Sequence, residues 1–347
     1  MKKYNIAIVG ATGAVGEELL LVLDELNFPV ANILPLSSAR SAGTYIEFRN
    51  EEYKVYELTT TVFDEHEVDI AFFCAGGSIS EKYAKYAVES GAVVIDNTSF
   101  FRMDEDIPLV VPEVNPQDIA MWEKRGIIAN PNCSTIQMTQ SLKALDNVYP
   151  IKRVDVSTYQ ATSGAGKQGM EELVTQMQDF FAFRLDESEK KAFAHQIALN
   201  IIPQIDKDMP SGFTKEEEKM IYETQKILNK EMKIAATCVR VPVLRSHSES
   251  ITITFEDDVD VDVAKCKEAL ESFENLKVID DLANKEYPMP IIATNTDFTY
   301  VGRIRKDIYD SNILHLFNVA DQVRVGAATN AVRIALKWIK LQEEGGC

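Results

Sequence analysis

Cysteine is scarce in this sequence and is nowhere grouped. The five thiols, Cys74, Cys133, Cys238, Cys266 and Cys347, include no CxxC pair. An odd count at irregular spacing argues against a disulfide framework and against a zinc site, so a reducing cytoplasm and no metal are expected. Long apolar runs are also missing. The chain enters directly into Tyr4-Asn5-Ile6-Ala7-Ile8-Val9 with no cleavable signal, and no later stretch approaches the roughly 18 apolar residues that span a bilayer. A soluble protein with no membrane partner is expected. Positive charge is in short supply too: 36 Lys and Arg stand against 54 Asp and Glu, a formal charge of -18. With no basic stripe, a nucleic acid would be repelled at most approaches, and an anionic ligand must rely on a few locally placed cations. Repeats and low-complexity tracts are absent, and 46% hydrophobic with 26% charged residues is ordinary globular composition.

The length suits two domains of common size. Residues 4–9 read as a strand, glycines follow, and Val15, Leu19, Leu20, Val22, Leu23 and Leu26 recur at helical spacing, which is the start of a βαβ unit. Short apolar runs at 69–73, 92–96 and 126–129 alternate with helical patterns near 80–90 and 116–124, as parallel strands and their crossovers do. From Ile151 the runs 154–159, 236–241 and 250–255 become more β-branched with polar alternation, like an antiparallel sheet covered on one face. Residues 165 to about 198 are expected to be helical. A second helix is expected over 214–230, opened by Thr214 with Glu217 three residues on, and a third over 326–341 that returns to the first domain. The fold class expected is α/β: an N-terminal Rossmann-type doubly wound sheet plus an α+β domain with a mostly antiparallel sheet.

Gly10-Ala11-Thr12-Gly13-Ala14-Val15-Gly16 joins the first strand to the first helix, where backbone N–H groups and the helix dipole meet a pyrophosphate. An NAD site ends its second strand with an acidic residue. This sequence offers Ser38-Ala39-Arg40-Ser41 instead, two hydroxyls and a guanidinium that suit the 2′-phosphate of NADP. Arg40 also reads as a plain solvated cation. Cys133, in Asn130-Pro131-Asn132-Cys133-Ser134-Thr135, follows a strand and precedes the apolar-periodic helix 136–145. Unpaired N–H groups at a helix N-terminus favour a thiolate, so Cys133 reads either as a nucleophile or as a buried structural thiol, and the dinucleotide loop favours the nucleophile.

Taken in order, Gly10 to Gly16, Asn97 to Arg102, Val111 to Asn115, Pro131 to Thr135, Ser157 to Gly166 and Arg240 to Ser248 resemble the aspartate-semialdehyde dehydrogenase family over essentially the whole chain. The Ser38–Gly43 turn and the 216–219 helix suggest its Gram-positive branch. The resemblance implies NADP as cofactor, bound by Gly10, Thr12, Gly13, Ala14, Val15, Ser38, Arg40 and Ser41, with Ser163, Gly164 and Gln322 at the nicotinamide end. It implies an acyl-thioester on Cys133, acid–base work by His247 and orientation of the acyl group by Gln160. Arg240 and Glu216 would hold the substrate carboxylate and ammonium, and Arg102, Lys219 and Asn132 the inorganic phosphate. It also implies a homodimer or homotetramer. The domains would be 1–131, completed by the C-terminal helix 325–347, for NADP, and 132–324 for catalysis and dimerisation.

Other readings of the same residues stand beside these. His247 also reads as a hydrogen-bonded strand histidine, and Glu216 with Lys219 as a surface ion pair on one helix face. His66, His195 and His315 read as structural. An N-acetyl-gamma-glutamyl-phosphate reductase would share the fold and the thioester, and a non-catalytic NADP-binding scaffold would share the glycine loop alone.

Overall fold

A computed structural model describes residues 2–345. The chain divides into two compact units, one running as far as Asn132 and resuming at Ala327, the other from Cys133 to Gly326.

The first unit contains strands β1 (Tyr4–Val9), β2 (Val30–Ser37), β3 (Tyr45–Phe48), β4 (Glu51–Lys54), β5 (Tyr56–Glu57), β6 (Ile70–Phe73), β7 (Val93–Asp96) and β8 (Ile127–Ala129), with helices α1 (Ala14–Glu25), α2 (Val62–Glu65) and α3 (Gly77–Glu89). Six strands form a parallel sheet in the order β5-β2-β1-β6-β7-β8, while β3 and β4 make a separate hairpin. The order reverses at β1, and ligands of such sheets bind outside the carboxyl ends at that reversal. Ile6, Ile8, Phe72 and Ile95 from the sheet join Leu19, Val22 and Leu23 of α1 in one core. The C-terminal helix Thr329–Glu343 adds Ala331, Val332, Ala335 and Trp338 to it, the Trp338 ring lying edge-on to Tyr4 and Trp122. Residues 116–124 are helical, but as a 3₁₀ helix opened by Pro116.

The second unit holds β9 (Ile151–Gln160), β10 (Lys233–Arg240), β11 (His247–Phe255), β12 (Leu276–Val278), β13 (Thr299–Lys306) and β14 (Ile313–Ala320), and helices α4 (Cys133–Asp146), α5 (Gly166–Phe181), α6 (Lys215–Leu228), α7 (Val263–Ser272) and α8 (Pro290–Ala293). Its sheet, β10-β9-β11-β14-β13-β12, is mixed: β9 pairs parallel with β10 and β12 with β13, and the other three pairings are antiparallel. Parallel β9 and β10 need a long crossover, which α5 and α6 supply. Met138, Leu142 and Leu145 of α4, Met220 of α6 and Leu270 of α7 bury one sheet face with Val154, Ile251, Ile253, Leu314 and Leu316.

The helix expected over 165–198 is shorter than its charge pattern suggests. It ends at Phe181, Phe183 takes a left-handed φ of 58°, and only the short 3₁₀ turn Leu185–Glu187 follows. The cause lies in two buried polar side chains of α5. Glu172 accepts the backbone amides of Lys191 and Ala192, and Gln176 Oε1 those of Ile197 and Ala198, so the returning segment has partners without a helix of its own. Among the described residues no helix is long and apolar enough to cross a membrane, and no cluster of three or more metal-capable side chains occurs.

Candidate active site

In the first unit the β1–α1 turn is built for close approach. Gly10 has a φ of 89°, where an L side chain would be strained, and a Cβ there would meet Ala75 at 3.1 Å. At Gly16 a Cβ would fall 2.3 Å from the Gly10 carbonyl oxygen. Gly13 donates its amide to that oxygen and caps α1 as a glycine, so no cap side chain stands over the first-turn amides of Ala14 and Val15. Thr12 Oγ1 lies 3.0 Å from Ser37 Oγ at the end of β2. Next in the chain, Ser38 accepts the amides of Ser41 and Ala42 through its carbonyl, which turns the segment and leaves Arg40 exposed.

The ends of β7 and β8 hold Arg102. Its side chain is buried, Nε donating to the Asn130 carbonyl and Nη2 to the Asn97 carbonyl, both at 2.9 Å. Asn130 is itself fixed from both sides: its backbone amide donates to the Asp96 carbonyl, and Asn330 Nδ2 donates to its Oδ1 at 2.6 Å. Asn132, also buried, closes this segment. Asp96 accepts from Ser80 Oγ, Thr98 Oγ1 and the Thr98 amide; burial nevertheless raises its carboxyl above the usual range, against the pull of those bonds and of Arg102.

In the second unit Cys133 is the first residue of α4 and is partly exposed. Gly326 lies against it, where a Cβ would come within 2.6 Å of the Cys133 Cβ. His247 begins β11 and is fully buried. The Ala161 amide donates to its Nδ1 at 3.0 Å, which places the proton of the neutral ring on Nε2, and Nε2 has no protein partner. Burial drives the ring's pKa down to about 3, with Arg240 acting the same way and Glu216 opposing. The imidazole is therefore a neutral Nε2–H donor, not an imidazolium.

Ala161 serves a second group. Its carbonyl accepts Arg240 Nη1 at 2.6 Å, so the backbone of one residue aligns the last residue of β10 with the first of β11. A Cβ on Gly164 would sit 2.7 Å from Arg240 Nη1 and 3.3 Å from His247 Nε2, so glycine leaves room for both groups. Arg240 is buried, and burial lowers its pKa while Glu216 and Cys133 act to raise it. Gln160, at the end of β9, donates from Nε2 to Glu216 Oε1 at 3.1 Å. Gln322 accepts the Ser246 amide at 2.8 Å and donates to Ser163 Oγ.

Glu216 is no surface residue. It is buried in the first turn of α6, and its Oε2 accepts Lys219 Nζ at 3.0 Å. Lys219 also reaches Asp206 at 2.9 Å, an ion pair that the sequence reading missed. Burial pushes Asp206 up, but Lys219 outweighs it and the carboxyl ends below the usual range. Asp206 sits in an irregular loop with a φ of 68°, so no periodicity could have marked it. Ala161 was missed for another reason: it works through its backbone, and its side chain carries no chemical signal.

The site residues thus fall into two groups. Gly10, Thr12, Gly13, Ala14, Val15, Ser38, Arg40, Ser41, Arg102 and Asn132 belong to the first unit. Cys133, Gln160, Ser163, Gly164, Glu216, Lys219, Arg240, His247 and Gln322 belong to the second, where Gln160, Glu216, Lys219, Arg240 and His247 share one connected arrangement. His66 lies tilted against Tyr56 in the first unit, and in the second His315 bridges Thr252 and Asp307 without joining that arrangement. Cys347 lies outside the described residues.

Residues 5–122 match the family model described as semialdehyde dehydrogenase, NAD binding domain, and residues 142–325 match semialdehyde dehydrogenase, dimerisation domain. An aspartate-semialdehyde dehydrogenase of Campylobacter jejuni is 66% identical, with 99% of each chain covered, and one of Helicobacter pylori strain J99 is 51% identical, covering 98% of this chain and 99% of that one. The Bacillus subtilis enzyme is 47% identical, over 97% and 98%. That ranking does not support the expected Gram-positive affinity. The crystal structure of Vibrio cholerae aspartate semialdehyde dehydrogenase II complexed with ASA superposes with a TM-score of 0.93 at 45% identity, covering 98% of this chain and 99% of that one. A Candida albicans aspartate semialdehyde dehydrogenase solved with NADP gives 0.75 at 25% identity, again over 98% and 99%. The chain belongs to the aspartate-semialdehyde dehydrogenase family.

Proposed function

We propose that this chain reduces L-aspartyl 4-phosphate to L-aspartate 4-semialdehyde with NADPH, through a thioester on Cys133. The observation that carries this reading is the juxtaposition in one unit of a cysteine opening α4 with a buried neutral histidine, a buried guanidinium and a buried carboxylate.

The thiolate of Cys133, favoured by the amides of its helix end, attacks the acyl phosphate carbonyl; the C–S bond forms and phosphate leaves with the C–O electron pair. When bound, NADPH supplies the hydride that reduces the thioester carbon. With Nδ1 held by Ala161, His247 works through Nε2, whose N–H hydrogen-bonds the oxygen that gains negative charge on reduction; the C–S bond then breaks, its electron pair returns to Cys133 as the thiolate, and aldehyde leaves. Arg240 forks onto the substrate α-carboxylate, Glu216 pairs with the α-ammonium, and Gln160 orients the acyl carbonyl. Arg102, Lys219 and Asn132 take the phosphate, Lys219 turning from its carboxylate partners to the anion. An acylated amino group would leave the buried Glu216 carboxylate without a cation to bind, which disfavours an N-acetylglutamyl phosphate as substrate.

The residues present fit NADP. The glycine turn admits a pyrophosphate, and the segment after β2 presents Ser38, exposed Arg40 and Ser41 in place of a carboxylate. Ser163, Gly164 and Gln322 would receive the nicotinamide end. On this reading residues 1–131 with the C-terminal helix bind NADP and 132–324 carry catalysis and dimerisation, bounds that differ by one or two residues from the division after Asn132 and after Gly326; the dimerisation-domain match supports a homo-oligomer, which we take to be a cytoplasmic homodimer or homotetramer. The reaction run backwards tests substrate and cofactor together: aspartate semialdehyde, phosphate and NADP should sustain NADPH formation beyond one per active site only when all three are present. Continued turnover independent of phosphate would defeat the reading.

A further inference from the structure

Behind the Cys133 and His247 side chains the second unit buries a polar layer that the proposed chemistry does not use. Glu249, two residues beyond His247 on β11, lies on the same sheet face and is fully buried. Its cross-strand neighbours are Asn318 on β14 and Thr158 on β9. Gln137, four residues after Cys133 on α4 and so on the same helical stripe, is also fully buried. Gln137 Nε2 donates to Asn318 Oδ1 at 2.9 Å and reaches the His247 carbonyl at 3.4 Å, while Asn318 Nδ2 donates to the Gln137 carbonyl at 3.2 Å. Three acceptors in this layer have no hydrogen bond of good geometry: both carboxyl oxygens of Glu249, which Asn318 and Gln137 approach, and Oε1 of Gln137.

We propose that Glu249 is a positioning residue for the thioester chemistry, holding Gln137 from behind so that the first turn of α4, with Cys133, keeps its alignment with His247. Three clustered buried acceptors lack a well-placed proton, and one proton on Glu249 relieves two of them: the acid O–H donates to Gln137 Oε1, leaving a single carboxyl oxygen unmatched. The electrostatics agree. Burial takes the Glu249 carboxyl well above its ordinary 4.5, opposed only by the neutral Asn318 and Gln137 side chains, with no cation to keep it ionised. Glu249 touches no reacting atom. Its effect passes through Gln137 to the helix end bearing the nucleophile and to the backbone of His247, where a shift of about 1 Å is enough to cost on the order of a hundredfold in rate.

The inference rests on the proposed reaction for its kinetic test, and on spectroscopy without it. In the reverse assay, Glu249→Gln, which still offers an N–H donor to Gln137, should keep kcat within about threefold, and Glu249→Met should lose about tenfold or more with KM for semialdehyde and NADP little changed. Glu249→Asp, a milder change whose acid is one methylene too short, should fall in the same sense if the Met variant does not fold. Infrared difference spectra of the native protein against Glu249→Gln at neutral pH should show the carbonyl stretch of a protonated carboxylic acid. A carboxylate band there, undiminished kcat in both Met and Asp variants, or KM rising in step with the loss of kcat would each overturn the proposal. Lack of dehydrogenase activity in the native protein would instead count against the proposed reaction and leave the infrared result standing.

Discussion

His247 shows how little of a residue's chemistry its identity fixes. As a sequence letter it offers either ring nitrogen and either charge; the Ala161 amide on Nδ1 and complete burial select the neutral Nε2–H form. With four histidines in the chain, nitrogen NMR can resolve it: His247 should keep an unprotonated Nδ1 at pH 6, and an imidazolium pattern there would contradict the assignment. The thiols differ as sharply. Burial pushes Cys74 up to about 12 and Cys266 up to about 11, and raises Cys238 further still, whereas Cys133 sits partly exposed at a helix start. Iodoacetamide at neutral pH should label Cys133 before these three, with activity falling in step, as peptide mapping will show. Cys347 is expected to label without loss of activity.

At the scale of the element, what could be read early is what repeats. Apolar runs located β1, β6, β7 and β8, and the Thr214/Glu217 pair located the start of α6, whose capping box is present, with Thr214 Oγ1 accepting the Glu217 amide and Glu217 Oε2 accepting the Thr214 amide. The segment 182–214 was illegible because the amides of Lys191, Ala192, Ile197 and Ala198 within it are satisfied by Glu172 and Gln176 from the preceding helix, an arrangement without period. Asp206 was lost in the same way. The capping box has a functional corollary, since Glu216 and Lys219 occupy the turn it fixes. Thr214→Ala should cost about 1 kcal/mol of stability and raise KM for the semialdehyde more than it lowers kcat. Urea melts and steady-state kinetics measure both, and an unchanged KM would separate the cap from the site. In the β1–α1 turn and the segment beyond β2, Arg40→Ala should raise KM for NADP much more than for NAD, and equal effects would remove Arg40 from the cofactor site.

Among the proton linkages of the whole molecule, two fully buried groups of the second unit act in opposite senses. Between pH 6.5 and about 3 the unfolded chain protonates His247 while the folded one does not, so this residue's contribution to stability is present above pH 6.5 and declines as pH falls. Glu249 works the other way: folded it keeps a proton that the unfolded chain releases above 4.5, so its contribution declines as pH rises through that value. Denaturant midpoints across pH should lose the first slope in His247→Asn and the second in Glu249→Gln; unaltered slopes would mean that neither group is held as described. The family resemblance was legible across the chain because its motifs are short and local, while the Gln137–Glu249–Asn318 layer joins residues far apart in sequence and Asp206 reaches Lys219 from an irregular loop.

The central claim is the covalent bond on Cys133, and trapping it is the most direct test. Native protein mixed with aspartate semialdehyde and NADP without phosphate, then quenched in acid, should form at most one NADPH per active site and carry an aspartyl group on the peptide containing Cys133. Added phosphate should discharge that group and restore turnover. An adduct mapped to another residue, or turnover retained in Cys133→Ser with no adduct at all, would contradict the account.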